Sequence, residues 1–418
     1  MVTQAIDSRG PFLVAQMGAR LHYALPRVLA AAGMLDSFCT DICASKGWPR
    51  LFRLLPGRLL PGSLQRLAER VPNGVPRQRI KAFNSFGLEY ARRRNRDSSA
   101  SEVTATHLWA GRTFCRLVLA SGLEGAGGVF VFNSAGLEIL QEARKHGLVA
   151  VMEQAIAPRA LEQKILAEEH LRFPDWEPPP EADTEAAEFC AREAAEWDAA
   201  DLIVCGSEFA RDGVVACGGP AERCRIVPYG VDTGDSPKRR EGRTVSDPLH
   251  VLTVGVVGLR KGSQYVLEAA KILRGMARFR LVGTIAVPPV IAARLGERVE
   301  LAGSVPRSCM AQHYRWADVL VLPSLCEGSA TATYEALAWG LPVICTPNAG
   351  SVVRDGIEGF IVPLRDGGAI AERLAQLHTD RDVLEALSRN AQVRSQLFTT
   401  GAYSERLLGV LRESSRAA

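Results

Sequence analysis

The run from Val319 to Ile344 leaves this chain few folds to choose from. Val319-Leu320-Val321-Leu322 is an unbroken apolar quartet, the pattern of a strand buried on both faces. Pro323-Ser324 ends it. Then comes Cys326-Glu327-Gly328-Ser329-Ala330-Thr331-Ala332-Thr333-Tyr334-Glu335, with only small or hydroxylated residues between the glutamates until Tyr334. Ala336 to Gly340 reads as a helix closed by a glycine cap, and Leu341-Pro342-Val343-Ile344 as the next strand. Strand, loop, helix and strand in that order form a parallel-sheet unit, with Glu327 in the loop and Glu335 on the helix.

The placement has chemical content. A helix N-terminus presents free N–H groups and partial positive charge, which suits a diphosphate. Gly328, Ser329 and Ala330 are small enough to let a ligand approach that backbone. Glu335, about one turn in, is placed to accept hydrogen bonds from ribose hydroxyls, and Glu327, at the mouth, from those of a second sugar. A phosphate between two polyols is a nucleotide sugar. On spacing alone, a solvated loop glutamate and a helix-surface glutamate fit equally well.

Further segments narrow the choice. Trp197-Asp198-Ala199-Ala200-Asp201-Leu202-Ile203-Val204-Cys205-Gly206-Ser207, Arg225-Ile226-Val227-Pro228-Tyr229-Gly230-Val231-Asp232, Val254-Gly255-Val256-Val257-Gly258-Leu259-Arg260-Lys261-Gly262 and Asp355-Gly356-Ile357-Glu358-Gly359-Phe360-Ile361-Val362-Pro363 accompany the two glutamates in order. Together they resemble the retaining GT-B glycosyltransferases of family four, the group 1 glycosyl transferases, over roughly residues 197 to 365. The resemblance implies an α/β, GT-B fold: two Rossmann-like doubly wound domains facing across a cleft. It implies an acceptor domain over 1–235, a donor domain over 236–400, and a C-terminal helix over 401–418 crossing back to the first domain.

Composition sets outer bounds. A chain of 418 residues with 47% hydrophobic content suits two to three ordered domains. No apolar run is long enough to cross a membrane, and the N-terminus lacks a basic start followed by an apolar core. Ten cysteines without a C-x-x-C pair indicate reduced thiols and no structural zinc, and the seven histidines form no metal set. The expected location is cytoplasmic, at the inner face of the membrane.

The net charge of +4 hides an asymmetry. Lys46 to Arg96 holds thirteen Lys or Arg against two Glu, whereas Glu153 to Asp201 holds fourteen Asp or Glu against four Lys or Arg. The basic block interleaves Trp48, Leu51, Phe52, Leu54, Leu55, Leu59, Leu60, Leu64 and Leu67 with arginines, a mixture suited to an anionic membrane surface. A helical region whose basic face meets water or the acidic block is the plainer reading. No nucleic-acid module accompanies the charge, so no nucleic-acid partner is expected.

Along the chain, Phe12 to Gln16 reads as a strand, Gly18 as its turn, and Leu21 to Ala32 as a helix. Strand patterns recur at 128–132, 148–152, 250–254, 279–282, 299–301 and 359–362. Pro174 to Pro180 reads as a loop before an acidic helix, and Asp232 to Pro248 as the linker.

Arg260 and Lys261, between Gly258 and Gly262, are suited to neutralise a departing diphosphate without a metal. Glu327, Lys261 and Arg260 are thus the expected catalytic set, with Gly328, Ser329, Ala330 and Glu335 on the donor. The resemblance adds Gly303 and Val305, flanking Ser304, at the nucleobase. On the acceptor side Gly18, His22, Asn133 and Glu153 are expected at the cleft, and His107 is read as structural. Two departures stand out: Val256 replaces a common loop arginine, and Asn133 stands where relatives carry histidine. The expected activity is transfer, with retention, of a hexose-type sugar from a UDP- or GDP-sugar to a hydroxyl acceptor. That acceptor is a saccharide or lipid-linked saccharide in exopolysaccharide, lipopolysaccharide or glycolipid assembly. No cofactor and no metal is expected. An epimerase, an inverting transferase and a catalytically silent nucleotide-sugar-binding protein are the rival readings.

Overall fold

The computed structural model describes residues 10–56, 60–178, 182–232 and 246–417. The start of the chain read for a leader, the boundary at 235/236 and most of the linker read at Asp232 to Pro248 lie outside these residues. So do Leu59 of the basic block and the end of the proline-rich loop.

Two parallel sheets organise the chain. The first joins β1 (Phe12–Gln16), β2 (Leu35–Thr40), β3 (Ile80–Ala82), β4 (Gly128–Phe132), β5 (Val149–Gln154), β6 (Leu202–Cys205) and β7 (Cys224–Ile226), in the order β3-β2-β1-β4-β5-β6-β7. The second joins β8 (Leu249–Val254), β9 (Ala277–Val282), β10 (Val299–Gly303), β11 (Val319–Leu322), β12 (Val343–Cys345) and β13 (Gly359–Ile361), in the order β10-β9-β8-β11-β12-β13. Each order reverses once, between β1 and β4 and between β8 and β11. Loops diverge there at the strand C-termini and leave a crevice for ligands.

Alternate residues explain the layers. Val14, Phe130, Val151 and Val204 pack on one face of the first sheet, and Leu13, Val129, Met152 and Ile203 on the other. Val251, Val319 and Val321 face one core of the second sheet, and Leu252, Leu320 and Leu322 the opposite one. Burying each such side chain is worth about 1.5–3 kcal/mol, which fixes strands that carry apolar residues on both faces.

Two helices exchange sides. Helix Thr400–Ala417 places Tyr403, Leu407 and Leu411 in the core of the first sheet. In the opposite direction, helix Arg159–Arg172 and the turn after it place Ile165, Leu166, Phe173 and Trp176 against the core of the second sheet. Glu169 on that helix is fully buried, yet it accepts from Gln264 Nε2 (2.8 Å), Arg365 Nε (2.8 Å) and the Tyr265 hydroxyl. A buried carboxylate is tolerable only when its lone pairs are used in this way. The acidic stretch is therefore partly an interface, which its composition did not reveal.

The helix expected at Leu21–Ala32 begins later, at Ala24. Leu21, His22 and Tyr23 instead have φ of 45°, 50° and 62°. Left-handed backbone at three side-chain-bearing residues costs of order 1 kcal/mol each and needs tertiary support. Gln16 supplies part of it, its Nε2 donating to the carbonyls of Gly18 (3.0 Å) and Arg20 (3.3 Å).

Candidate active site

On the second sheet, the loops after β8 and β11 meet at the switch point. Gly262 has φ 72°, and a Cβ there would stand 2.1 Å from the Pro323 carbonyl oxygen, so only glycine lets the loops close. Leu325 N–H donates to the Arg260 carbonyl at 2.9 Å, and Arg260 Nη1 to the Cys326 carbonyl at 3.0 Å. These ties bring the cations onto Glu327. Lys261 Nζ lies 2.5 Å from Glu327 Oε1, and Arg260 Nη1 lies 3.5 Å from Oε2. Glu162, from the exchanged helix, stands 3.8 Å from Arg260 Nε. Partly buried ion pairs contribute little net stability once desolvation is counted, so their concentration at a strand-end crevice points to ligand chemistry.

Helix Thr331–Ala338 starts beside this cluster, and no side chain caps its N-terminus. The preceding loop is clamped from both halves of the chain. Ser207 donates to the Gly328 carbonyl, and Ser329 Oγ donates to the Gly350 carbonyl at 2.9 Å. A Cβ on Gly328 would stand 2.1 Å from the Ala155 carbonyl oxygen. Small residues between the two glutamates are thus required by packing as well as by ligand access. Ala330 N–H donates to the Ala349 carbonyl at 3.0 Å. Glu335 Oε2 accepts from Tyr314 Oη at 2.5 Å, and burial raises its carboxyl above the usual range. The Tyr314 ring in turn stacks on Trp339. Gly303 (φ 69°) ends β10, and half-buried Val305 packs against the core that holds Leu252, Leu320 and Leu322. From the first half, Arg66 Nη1 reaches Ser304 Oγ at 3.5 Å.

Facing this is a cavity of about 620 Å³ at the β1/β4 switch point, a volume ordinary for a small-molecule site. Gly18 and Asn133 line it as expected positions, with Gly18 N–H on Asp41 Oδ1 (3.0 Å) and Asn133 Oδ1 accepting from Ala155 N–H (3.2 Å). Glu196 orients the loop after β4 by accepting from Ser134 N–H (2.7 Å) and Gly136 N–H (3.0 Å). Two other expected residues are elsewhere. His22 is exposed and does not line the cavity. Glu153 is buried on the far face of β5, accepting from Tyr229 Oη at 2.9 Å, and burial pushes its carboxyl up to about 7. Strand alternation explains this: Val151 and Glu153 share the face that packs under the C-terminal helix.

Apart from Arg260, the side chains that dominate the cavity had no motif to announce them. They are Arg20, Arg70, Arg94, Arg159 and Arg260, with Asp41, Glu162 and Glu193. His107, read as structural, also lines it, 2.5 Å from Arg94 Nη1, and burial with that cation pushes it down to about 4. Arg260 touches both the cavity and Glu327, so it joins the two sites.

Comparisons with known proteins agree with this layout. Residues 248–380 match the family described as glycosyl transferases group 1. The chain is 28% identical over 233 residues to the putative colanic acid biosynthesis glycosyltransferase WcaL of Salmonella typhimurium, covering 51% of this chain and 56% of that protein. It is 27% identical over 224 residues to the amylovoran biosynthesis glycosyltransferase AmsK of Erwinia amylovora, covering 49% and 54%. It is 31% identical over 243 residues to the D-inositol 3-phosphate glycosyltransferase of Thermobispora bispora, covering 52% and 57%. The matches thus span little more than half the length of these relatives. Among solved structures, Anabaena HepE in complex with UDP and glucose superimposes with a TM-score of 0.61 at 14% identity, over 97% of this chain and 100% of that one. Sucrose-phosphate synthase from Thermosynechococcus elongatus gives 0.67 at 17% identity, over 98% and 100%. The fold is the two-domain α/β GT-B fold.

Proposed function

We propose that the chain is a glycosyltransferase that moves a hexose-type sugar from a UDP- or GDP-sugar to a hydroxyl acceptor, retaining the anomeric configuration. The observation that carries this reading is the cluster of Lys261, Arg260 and Glu327 beside the uncapped start of helix Thr331–Ala338, opposite an open cavity. A diphosphate arriving there takes Lys261 and Arg260 from Glu327, which leaves that carboxylate for the donor sugar's hydroxyls. Glu335, deeper on the same helix, receives the ribose, and the backbone of Gly303 to Val305 the base. Turnover then rests on positioning and on stabilising the leaving diphosphate. Retention follows if the acceptor attacks from the face the diphosphate leaves, its proton passing to the departing phosphate oxygen.

Lys261 and Arg260 supply the positive charge in this scheme, and the reaction is proposed to run without a metal. Exopolysaccharide, lipopolysaccharide or glycolipid assembly is the proposed setting, in keeping with the relatives named for colanic acid and amylovoran biosynthesis. Contact with an anionic membrane is proposed through the short helix Trp48–Leu54, where Leu51 and Leu54 are 62% and 79% exposed beside exposed Arg50 and Arg53. No helix among the described residues is long and apolar enough to cross a membrane.

The test is a thermal-shift screen against UDP, GDP, ADP and their sugar conjugates with EDTA present, followed by acceptor-dependent donor consumption and NMR of the product's anomeric proton. A melting rise with one nucleotide family and an α-linked product from an α-linked donor are expected. Donor binding without acceptor-dependent turnover would favour a silent binding protein. An inverted anomer would remove the retaining mechanism.

A further inference from the structure

We infer that the arginine-lined cavity reads a phosphate group carried by the acceptor, so that the acceptor is a phosphorylated saccharide. This rests on the transferase reading above and assigns its second substrate.

Five guanidinium groups line the cavity against three carboxylates, and carboxylates outside its lining pair three of those arginines: Asp97 with Arg94 (3.8 Å), Asp183 with Arg159 (3.2 Å) and Glu327 with Arg260 (3.5 Å). The three lining carboxylates are engaged as well. Asp41 Oδ1 accepts from Gly18 N–H (3.0 Å) and Thr40 Oγ1 (3.2 Å), while its Oδ2 meets Arg70 Nη1 at 3.4 Å. Glu162 is shared between Arg159 (3.2 Å) and Arg260 (3.8 Å). Glu193 accepts from Arg159 N–H (2.8 Å) and Gln154 Nε2 (3.2 Å). Arg20 is left over. Among the described residues it forms no ion pair, and its guanidinium lies 5.7 Å from the centre of the Phe132 ring.

Arg20 is also held in place. Gln16 grips the carbonyls on either side of the turn, and the left-handed residues Leu21 to Tyr23 follow directly. A hydroxylated but neutral acceptor would be served by amides, hydroxyls and carboxylates. An unpaired guanidinium in a cavity that Arg70 and Arg94 also line, each with one carboxylate partner, fits a multivalent oxyanion, whose planar-fork contacts with arginine are strong and directional. Arg260, bound for the donor diphosphate, closes the cavity on the side where the sugars meet. An acceptor phosphate on Arg20 therefore places a neighbouring hydroxyl towards the donor while keeping two anionic groups on separate cations.

The experiment uses the full chain saturated with the nucleotide diphosphate it prefers, which occupies Lys261 and Arg260. Inorganic phosphate and glycerol 3-phosphate are titrated into it by calorimetry, with glycerol as the neutral control. Saturable phosphate binding on top of the nucleotide is expected. Arg20→Ala should weaken it at least about tenfold with nucleotide affinity unchanged, and Arg20→Lys should keep part of it. Equal phosphate affinity in Arg20→Ala, displacement of phosphate by the nucleotide, or no saturable binding to the nucleotide-loaded protein would each overturn the inference. If no nucleotide binds at all, the donor reading fails, and phosphate titration of wild type against Arg20→Ala still decides this one. Two turnover arms then separate the phosphate's source, a water-soluble sugar phosphate and a prenyl-phosphate-linked sugar in detergent micelles. Either accepted over its dephosphorylated counterpart sustains the inference. Equal use of the neutral sugar overturns it.

Discussion

The two halves of this protein, the proposed donor side and the proposed acceptor side, place their charges differently. On the second sheet, Lys261, Arg260 and Glu327 come from two adjacent loops and face one another within 3.5 Å. On the first sheet, Arg20, Arg70, Arg94 and Arg159 come from separate elements; the last three meet carboxylates, and Arg20 lines the cavity with no ion pair among the described residues. The contrast teaches how each site is specified. One is built from loops that close on each other at a strand end, the other is an assembly of side chains from distant segments.

Substitutions can break that contrast, and the largest effect is expected at Lys261. Lys261→Ala should lower turnover by about 10²–10³-fold, the usual cost of removing one charge-stabilising donor, in steady-state assays with and without EDTA. An undiminished rate would remove the leaving-group role from the donor side.

The buried carboxylates of the first half should dominate the pH dependence of stability. Burial pushes Glu153 and Glu196 each up to about 7, from 4.5. A raised carboxyl pKa means that the folded state holds its proton longer than the unfolded one. The stabilisation is then fully present below pH 4.5 and is lost as the pH rises through 7. Each group contributes on the order of 3 kcal/mol across that window. Chemical denaturation at pH 5 and pH 8 should show Glu153→Gln with a visibly smaller loss than wild type; an identical loss would mean that Glu153 ionises normally.

Glu335→Ala should weaken UDP or GDP binding by about ten- to a hundredfold, the worth of hydrogen bonds to a charged acceptor. Glu327→Ala should leave nucleotide affinity nearly unchanged and lower turnover instead. Calorimetry beside kinetics separates the two, and equal nucleotide affinity in wild type and Glu335→Ala would sink the ribose assignment. The smallest effect on the fold is expected at Leu54, which is largely exposed. Leu54→Asp should alter stability by no more than about 0.5 kcal/mol while reducing binding to anionic vesicles, as co-sedimentation would report.

Much of the donor side was legible because its signals are local. An apolar quartet, two glycines around two cations and small residues before a helix all act within a few residues of one another. Even there, sequence missed Tyr314, which holds Glu335, and the contact of Gly328 with Ala155. The acceptor side was legible only at Gly18 and Asn133, each next to a recognisable strand. Arg20, two residues beyond Gly18, had that same signal and was the one cavity arginine a closer reading of the turn would have found. Glu153 misled, because a carboxylate at a strand end reads as cleft-facing until the partner on its other face, Tyr229, is known.

By itself the sequence determined the alternation of strands and helices, the double α/β series and the positions of Lys261, Glu327 and Glu335. Periodicity, glycine conformation and helix ends are properties of neighbouring residues. The tertiary structure decided which helices change sides, which face of β5 covers Glu153 and which arginines share a cavity. Those outcomes depend on strand order and on packing between segments far apart in the chain, where no single stretch carries the information.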